Sequence, residues 1–367
     1  MSIYMIAFSF LVLISLSVNN GKIKGYIVEI TLCRKRFFLI TSLVVLSFIE
    51  GARAYSVGSD TALYAFLYSN NDFSSFEILN KVMLCTLRNI STSPTFYFFI
   101  CAILTNGIIL YAIYRESNCV TYSLFIFISF MIYFTSFNAL RQAIAYALVF
   151  LAYTYSIEKA SIVKFITLLI LAIGFHTSAI LGVVYLINYF VKDEKEINCK
   201  KKNFSFAKEF LLLGIVLIIA VFFYIRIDLA VKFGSKILPG YVRYLNSRYA
   251  NEVGGIRQPV VYTLILICFR ILVPSKDKKK LMFSIPLVIS VILSFIHLRY
   301  AYVSRFTCYF DITIVLAIPY MLENNILNKK SKCVLNVFVS MLAIIYMGYS
   351  CYCGYMQVIP YSFVWNA

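Results

Sequence analysis

The stretch IVKFITLLILAIGFHTSAILGVVYLINYFV, residues 162–191, holds one lysine near its start and one histidine at its centre, and otherwise almost nothing that water would stabilise. An amphipathic helix of a soluble protein turns a polar face outward every third or fourth residue, and this stretch has no such face. About 20 mostly apolar residues carry a helix through a bilayer. Residues 162–191 therefore read as buried in lipid. The interruption at Gly174-Phe175-His176-Thr177-Ser178 makes them either one broken helix or two short ones, 162–175 and 176–191.

The same texture recurs in both directions. Spans are expected at 2–19, 36–50, 94–114, 119–136, 138–157, 209–226, 258–273, 281–297, 303–322 and 333–353. With 162–191 the total is about 10–12 helices, an all-α polytopic transmembrane protein. Composition agrees: 61% of the 367 residues are hydrophobic and 14% are charged, against about 25% charged in a soluble domain. No soluble core hides that much apolar surface. One integral membrane domain over 1–367 is the expected organisation. The run 3–18 has no basic residues before it and no small-residue cleavage pattern after it, so it reads as a retained first helix rather than a cleaved signal.

The net charge of +18 would raise nucleic-acid binding in a soluble chain. Here the charges lie between apolar runs, with no RNA-binding signature and no zinc-finger spacing, so no nucleic-acid partner is expected. Basic residues favour cytoplasmic loops. With the N-terminus outside, the inner loops and their flanks carry 18 Lys and 3 Arg, including Lys200-Lys201-Lys202 and Lys278-Lys279-Lys280, and the outer ones 3 Lys and 9 Arg. Reporter fusions after Lys202 and after Lys280 are expected to read as cytoplasmic, and one after Gly255 as outside. A cytoplasmic signal at Gly255 overturns this topology.

The outer inventory has its own meaning. Lysine dominates inside and arginine outside, although a topology signal accepts either. The planar guanidinium fork grips phosphate oxygens two at a time. Two outer loops, about 50–93 and 226–257, are long enough to cover a site. The second places Arg243-Tyr244 and Arg248-Tyr249 before a Gly-Gly pair, a pairing suited to a sugar phosphate and equally to a membrane interface. The ten cysteines form no CxxC pair and sit mostly in apolar runs, as core thiols do. Neither a metal-ligand cluster nor a Gly-rich phosphate loop is present, so no metal and no cofactor are expected.

Four patterns at the outer ends of helices carry candidate chemistry. Glu50-Gly51-Ala52-Arg53 leads into Gly58-Ser59-Asp60 and Tyr64, and Asp60 either caps a helix at 61–68 or orients a reacting hydroxyl. Asn138-Ala139-Leu140-Arg141-Gln142 opens a helix whose positive end favours anions, and Arg141 there either snorkels or binds phosphate. His176 is one of only two histidines and is either a structural hydrogen-bonding residue or a general base. Arg299-Tyr300 and Arg305 with Tyr309, one turn on, form the last pattern, and Asp311 beyond them is an ionisable residue inside an apolar helix.

In that order these patterns resemble the EpsG-like branch of the Wzy polysaccharide polymerases. The resemblance rests on R-x4-G-S-D-x3-Y at Arg53 to Tyr64, Leu140-Arg141-Gln142-Ala143, Phe175-His176-Thr177-Ser178-Ala179 and Arg305-x3-Tyr309-Phe310, covering roughly residues 40–320; Ile359-Pro360-Tyr361 is a weaker match. It implies a GT-C-like glycosyltransferase of a bacterial inner membrane, active at the periplasmic face, that extends O-antigen or exopolysaccharide. Donor and acceptor would both be glycans on undecaprenyl diphosphate, with membrane lipid and a chain-length regulator protein as further partners. His176 and Asp60 are then the candidate bases. Arg53, Arg141, Gln142, Arg243, Tyr244, Arg248, Arg299, Arg305 and Tyr309 are candidates for the diphosphate and sugar, with arginine in place of a metal. The rivals are a lipid-linked oligosaccharide flippase, disfavoured by two long outer loops and no internal repeat, an O-antigen ligase sharing the leaving group, and a membrane O-acyltransferase, which would need a histidine paired with an acid.

Overall fold

The computed structural model describes Tyr4 and residues 32–191, 206–225 and 254–366. Among these residues the secondary structure is helical throughout, apart from one isolated bridge between Arg53 and Phe363. The expected helix at 2–19 and most of the loop 226–257 lie outside them. Contacts cluster in two units: Met1–Tyr155 with Ser161–Ile180 and Asn328–Ala367, and Ser156–Ala160 with Leu181–Leu327.

In the first unit, α1 (Leu32–Gly51) packs along α4 (Pro94–Glu116). They come close at Gly51, where an added Cβ would lie 2.5 Å from the Phe99 ring. The segment between them is not an open loop: it folds into α2 (Thr61–Ser69) and α3 (Ile78–Ile90). Arg88, in the last turn of α3, donates to the carbonyls of Tyr68 and Ser69 at the end of α2, satisfying acceptors that a helix C-terminus leaves open.

The span expected at 119–136 is broken. It divides into α5 (Val120–Ser129) and α6 (Ile132–Thr135), with Met131 left-handed at φ 63°. Irregular backbone at membrane depth persists only where protein satisfies it. Here Ser129 donates to Phe125 O in a partly buried contact, and Ser136 to Tyr133 O and the Tyr133 hydroxyl to Leu46 O in buried ones, each at 2.7 Å. Next come α7 (Leu140–Ile157) and α8 (Ile162–Phe175), and the long α15 (Lys329–Tyr352) completes the unit's helices. Apolar side chains such as Val334, Phe338, Met341 and Ile345 are exposed on α15, while its Tyr346 stacks on Phe130 of the broken span.

The expected break at residues 162–191 falls at His176, which ends α8 in an extended conformation. A 3-10 helix, Thr177–Leu186, and α9 (Ile187–Phe190) follow. In the second unit, α12 (Lys280–His297) packs against α10 (Phe206–Ile225), α11 (Arg257–Leu272) and α13 (Ser304–Asp311). The expected span 303–322 is α13 and α14 (Ile314–Glu323), bent by 48°. Among the described residues three helices are long and apolar enough to cross a membrane, or four if the bent pair counts as one span. Among the other expected spans, 36–50 lies in a helix with four charged residues and 162–175 in one of 14 residues.

Candidate functional site

Three of the four sequence patterns meet at one end of the first unit. The chain leaves α1 at Gly51 and turns through Gly58, whose φ of +94° only glycine adopts without strain; a Cβ there would stand 2.5 Å from Asn138 Oδ1. The C-terminal segment holds this turn in place. Ala54 N–H donates to Ser362 O, Val364 N–H to Ala52 O and Gly58 N–H to Gln357 O, all at 2.9 Å. The Asn138 amide donates to Met356 O at 2.9 Å and the Tyr361 hydroxyl to Ile49 O at 2.8 Å. Met356 and Gln357 are left-handed, a cost that these contacts offset.

Arg53 lies inside this knot with no exposed surface. It donates to Glu50 O, to Phe137 O at 3.0 Å and to the Thr61 hydroxyl at 3.3 Å. Its guanidinium is flanked by the Phe98 and Phe137 rings, each 4.9 Å away. Glu50 is also fully buried and accepts from Asn106 at 2.8 Å. The buried guanidinium ties α1 to the start of α7, which makes Arg53 a structural residue rather than an open phosphate ligand. Removing one member of a buried charge network costs about 3–5 kcal/mol. Arg53→Lys keeps the charge, but one ammonium cannot reach three acceptors and fill two aromatic faces. We expect this variant to melt well below the wild type in detergent. Normal melting with lost activity would return Arg53 to the ligand-binding set.

The open chemistry centres on Glu77. It occupies the N-cap position of α3 in an extended conformation, yet its side chain makes no capping bond. Oε2 instead accepts from Arg141 Nη1 at 2.7 Å, and Oε1 faces His176 Nδ1 at 2.6 Å. All three side chains are only partly covered, at 15%, 21% and 12% exposure for Glu77, Arg141 and His176. Arg141 stacks on Phe76 at 4.1 Å, with Tyr64 beside it, and its buried Nε–H has no acceptor among the described residues. Burial alone would raise the Glu77 carboxyl. The hydrogen bond from His176 and the positive charge of Arg141, joined by that of the imidazolium whenever His176 is protonated, outweigh burial and hold it below the usual carboxylate range. Glu77 is therefore a carboxylate that can only accept.

Local sequence explains why His176 stands there. Its N–H closes α8 onto Ala172 O at 2.9 Å, and its carbonyl accepts from Ala179 N–H at 2.9 Å as the 3-10 helix begins. Asn80 of α3 donates to Phe175 O, fixing the end of α8 against α3. Gln142 is buried next to Arg141 on α7. Asp60 sits at the N-cap position of α2 but makes no side-chain capping bond; Ser59 donates to its Oδ1 at 3.1 Å. The capping reading of Asp60 is thus not what the structure contains.

Arg299, Arg305 and Tyr309 belong to the second unit. Arg299 is exposed and Arg305 half-buried, whereas Tyr309 is fully buried and its carbonyl accepts from the Tyr185 hydroxyl at 2.8 Å. Tyr309 packs the core of that unit rather than facing a ligand. Arg243, Tyr244 and Arg248 lie outside the described residues. No group of three metal-ligating side chains occurs among the described residues. Sequence reasoning missed Glu77. The available signal was an acid at the start of an amphipathic helix inside the outer arginine-bearing segment, a position that capping alone would explain.

The EpsG family matches the chain over residues 36–363. The protein belongs to the EpsG family. EpsG proteins are Wzy-like polysaccharide polymerases, and membership carries a glycosyltransferase-type activity and fits a bacterial membrane protein built of apolar helices. The match takes in α2 through α15 and all of α1 but its first four residues. No curated protein and no solved structure matches the chain.

Proposed function

We propose that this EpsG protein polymerises lipid-linked oligosaccharide repeat units at the periplasmic face of the inner membrane, with undecaprenyl diphosphate as the leaving group and a GT-C-like helical architecture. The reading is carried by the EpsG family match, which favours a polymerase over a membrane O-acyltransferase, although that rival would also pair a histidine with an acid. The Glu77–His176 contact beside Arg141, at a junction of helix ends that the charge pattern puts outside, supplies a base and a cation for it. An acceptor sugar hydroxyl attacks the anomeric carbon of the donor glycan. Its proton passes to His176 Nε2, the new glycosidic bond forms, and the bond from the anomeric carbon to the diphosphate oxygen breaks with its electron pair on the lipid diphosphate. Negative charge grows on that leaving group, so a cation aimed at it stabilises the transition state more than the ground state. Arg141, 2.7 Å from Glu77, is a cation in reach of this site. Arg299 and Arg305 are further candidates for the diphosphate, and no metal ion is required by the scheme.

The test is glycan length. A deletion strain should display surface chains of a single repeat unit, and re-expression should restore the ladder. Loss of all surface glycan would favour a ligase or a flippase instead. Purified protein given lipid-linked repeat units should build the ladder alone, with chain length set more narrowly when a regulator protein is added.

A further inference from the structure

We infer that Glu77 is the positioning residue of this site, fixing His176 with Nε2 as its proton-accepting nitrogen and holding Arg141 in register beside it. The inference rests on the proposed base role of His176 and extends it to a residue outside the sequence patterns.

The geometry gives three reasons. A glutamate at an N-cap position whose side chain makes no capping bond is held by something else, and here each carboxylate oxygen has its own partner, Arg141 at 2.7 Å and His176 at 2.6 Å. An ionised carboxylate has no proton to give, so the proton of the 2.6 Å contact belongs to Nδ1. A neutral imidazole with its proton on Nδ1 carries its lone pair on Nε2. The carboxylate therefore selects the tautomer, and it also stabilises the imidazolium that forms when Nε2 takes a proton. A plain ion pair between Glu77 and Arg141 would explain one oxygen and leave the histidine contact as coincidence. The charged and titratable groups facing the carboxylate or its partners come from four elements: Arg141 on α7, Tyr64 on α2, Tyr97 on α4 and His176 at the end of α8.

The chain has two histidines. The second, His297, bonds Ala301 O through Nδ1 in the other unit and takes no part in the proposed chemistry. In a His297→Ala protein labelled with 15N-histidine and returned to membranes, the solid-state spectrum at alkaline pH should show a protonated Nδ1 and a bare Nε2. A bare Nδ1 overturns the inference. In purified enzyme, Glu77→Gln should lower kcat by about 10²–10⁴-fold, as losing the carboxylate of a catalytic histidine does. KM for the lipid-linked repeat should move by less than about threefold, because the substrate contacts remain. Glu77→Asp, which keeps the charge on a shorter stem, should recover at least about tenfold of that loss. Full activity in Glu77→Gln, or no recovery in Glu77→Asp, counts against the assignment. If Glu77→Gln does not accumulate, the tautomer spectrum and Glu77→Asp still decide. Failure of the underlying reading looks different: a His176→Ala enzyme that polymerises normally removes the base, whereas a silent His176→Ala beside an active Glu77→Gln removes only the role of Glu77.

Discussion

His176→Ala is expected to abolish polymerisation while the protein still inserts and accumulates. A general base contributes about 10²–10⁴-fold to rate, and the backbone contacts that end α8 at this residue, N–H to Ala172 O and carbonyl from Ala179 N–H, survive the substitution. His176→Asn and His176→Gln retain a donor for Glu77 but have no nitrogen that takes a proton near neutral pH, so activity should stay lost in both. Ladders of normal length from either amide variant would make His176 a structural hydrogen-bond donor and pass the base role to Asp60. Asp60→Asn is the matching variant. Asp60 makes no capping bond and accepts from Ser59; asparagine keeps an acceptor there, so a mild effect is expected. A severe one would show that the carboxylate itself is needed. The measurement is ladder length from purified enzyme and lipid-linked repeat units, with no other glycan enzyme present.

Helix type and rough boundaries were legible because apolar segments advertise themselves: α1, α4, α7, α8, α10, α11, α12 and α15 each coincide with an expected apolar run to within a few residues, and α13 and α14 divide one such run between them. The breaks were less legible. His176 marked one, but Met131 sits in an unremarkable apolar run, and its left-handed turn depends on serine, threonine and tyrosine hydroxyls returning to nearby carbonyls. The segment 50–93 was expected as an outer loop because its two helices, of 9 and 13 residues, are too short to register as spans, although Asp60 marked a start for the first. Arg53 shows why residue type alone misassigns a site. Its position in a pattern and its chemistry both favoured phosphate, but burial between Phe98 and Phe137 gives its fork to carbonyls instead. Glu77 was hidden for the converse reason. Nothing local distinguishes it from a helix cap, and its two partners lie 64 and 99 residues away in sequence.

Arg141→Lys is expected to remove most activity although the charge is kept. Lysine can still reach Glu77, so the ion pair itself is not what the substitution tests. Three properties of the guanidinium are lost. Its plane stacks on Phe76 at 4.1 Å, which fixes the fork's orientation. Its Nη1 is committed to Glu77, while its buried Nε–H has no acceptor among the described residues, the kind of donor that a ligand oxygen satisfies. About a fifth of the side chain remains open. Arginine can thus hold the carboxylate with one nitrogen and offer others to an anion, whereas an ammonium paired with Glu77 offers its remaining protons in no fixed direction. A cation that acts on a developing diphosphate charge is worth about 2–4 kcal/mol, like an oxyanion donor, so kcat/KM should fall by roughly 30- to 1000-fold. Because the contact strengthens as the bond breaks, kcat should carry most of the loss. A fall confined to KM would make Arg141 a ground-state binding residue. Normal ladders at normal protein levels would move the diphosphate clamp away from Glu77 and His176, leaving Arg299 and Arg305 as the arginines to test next.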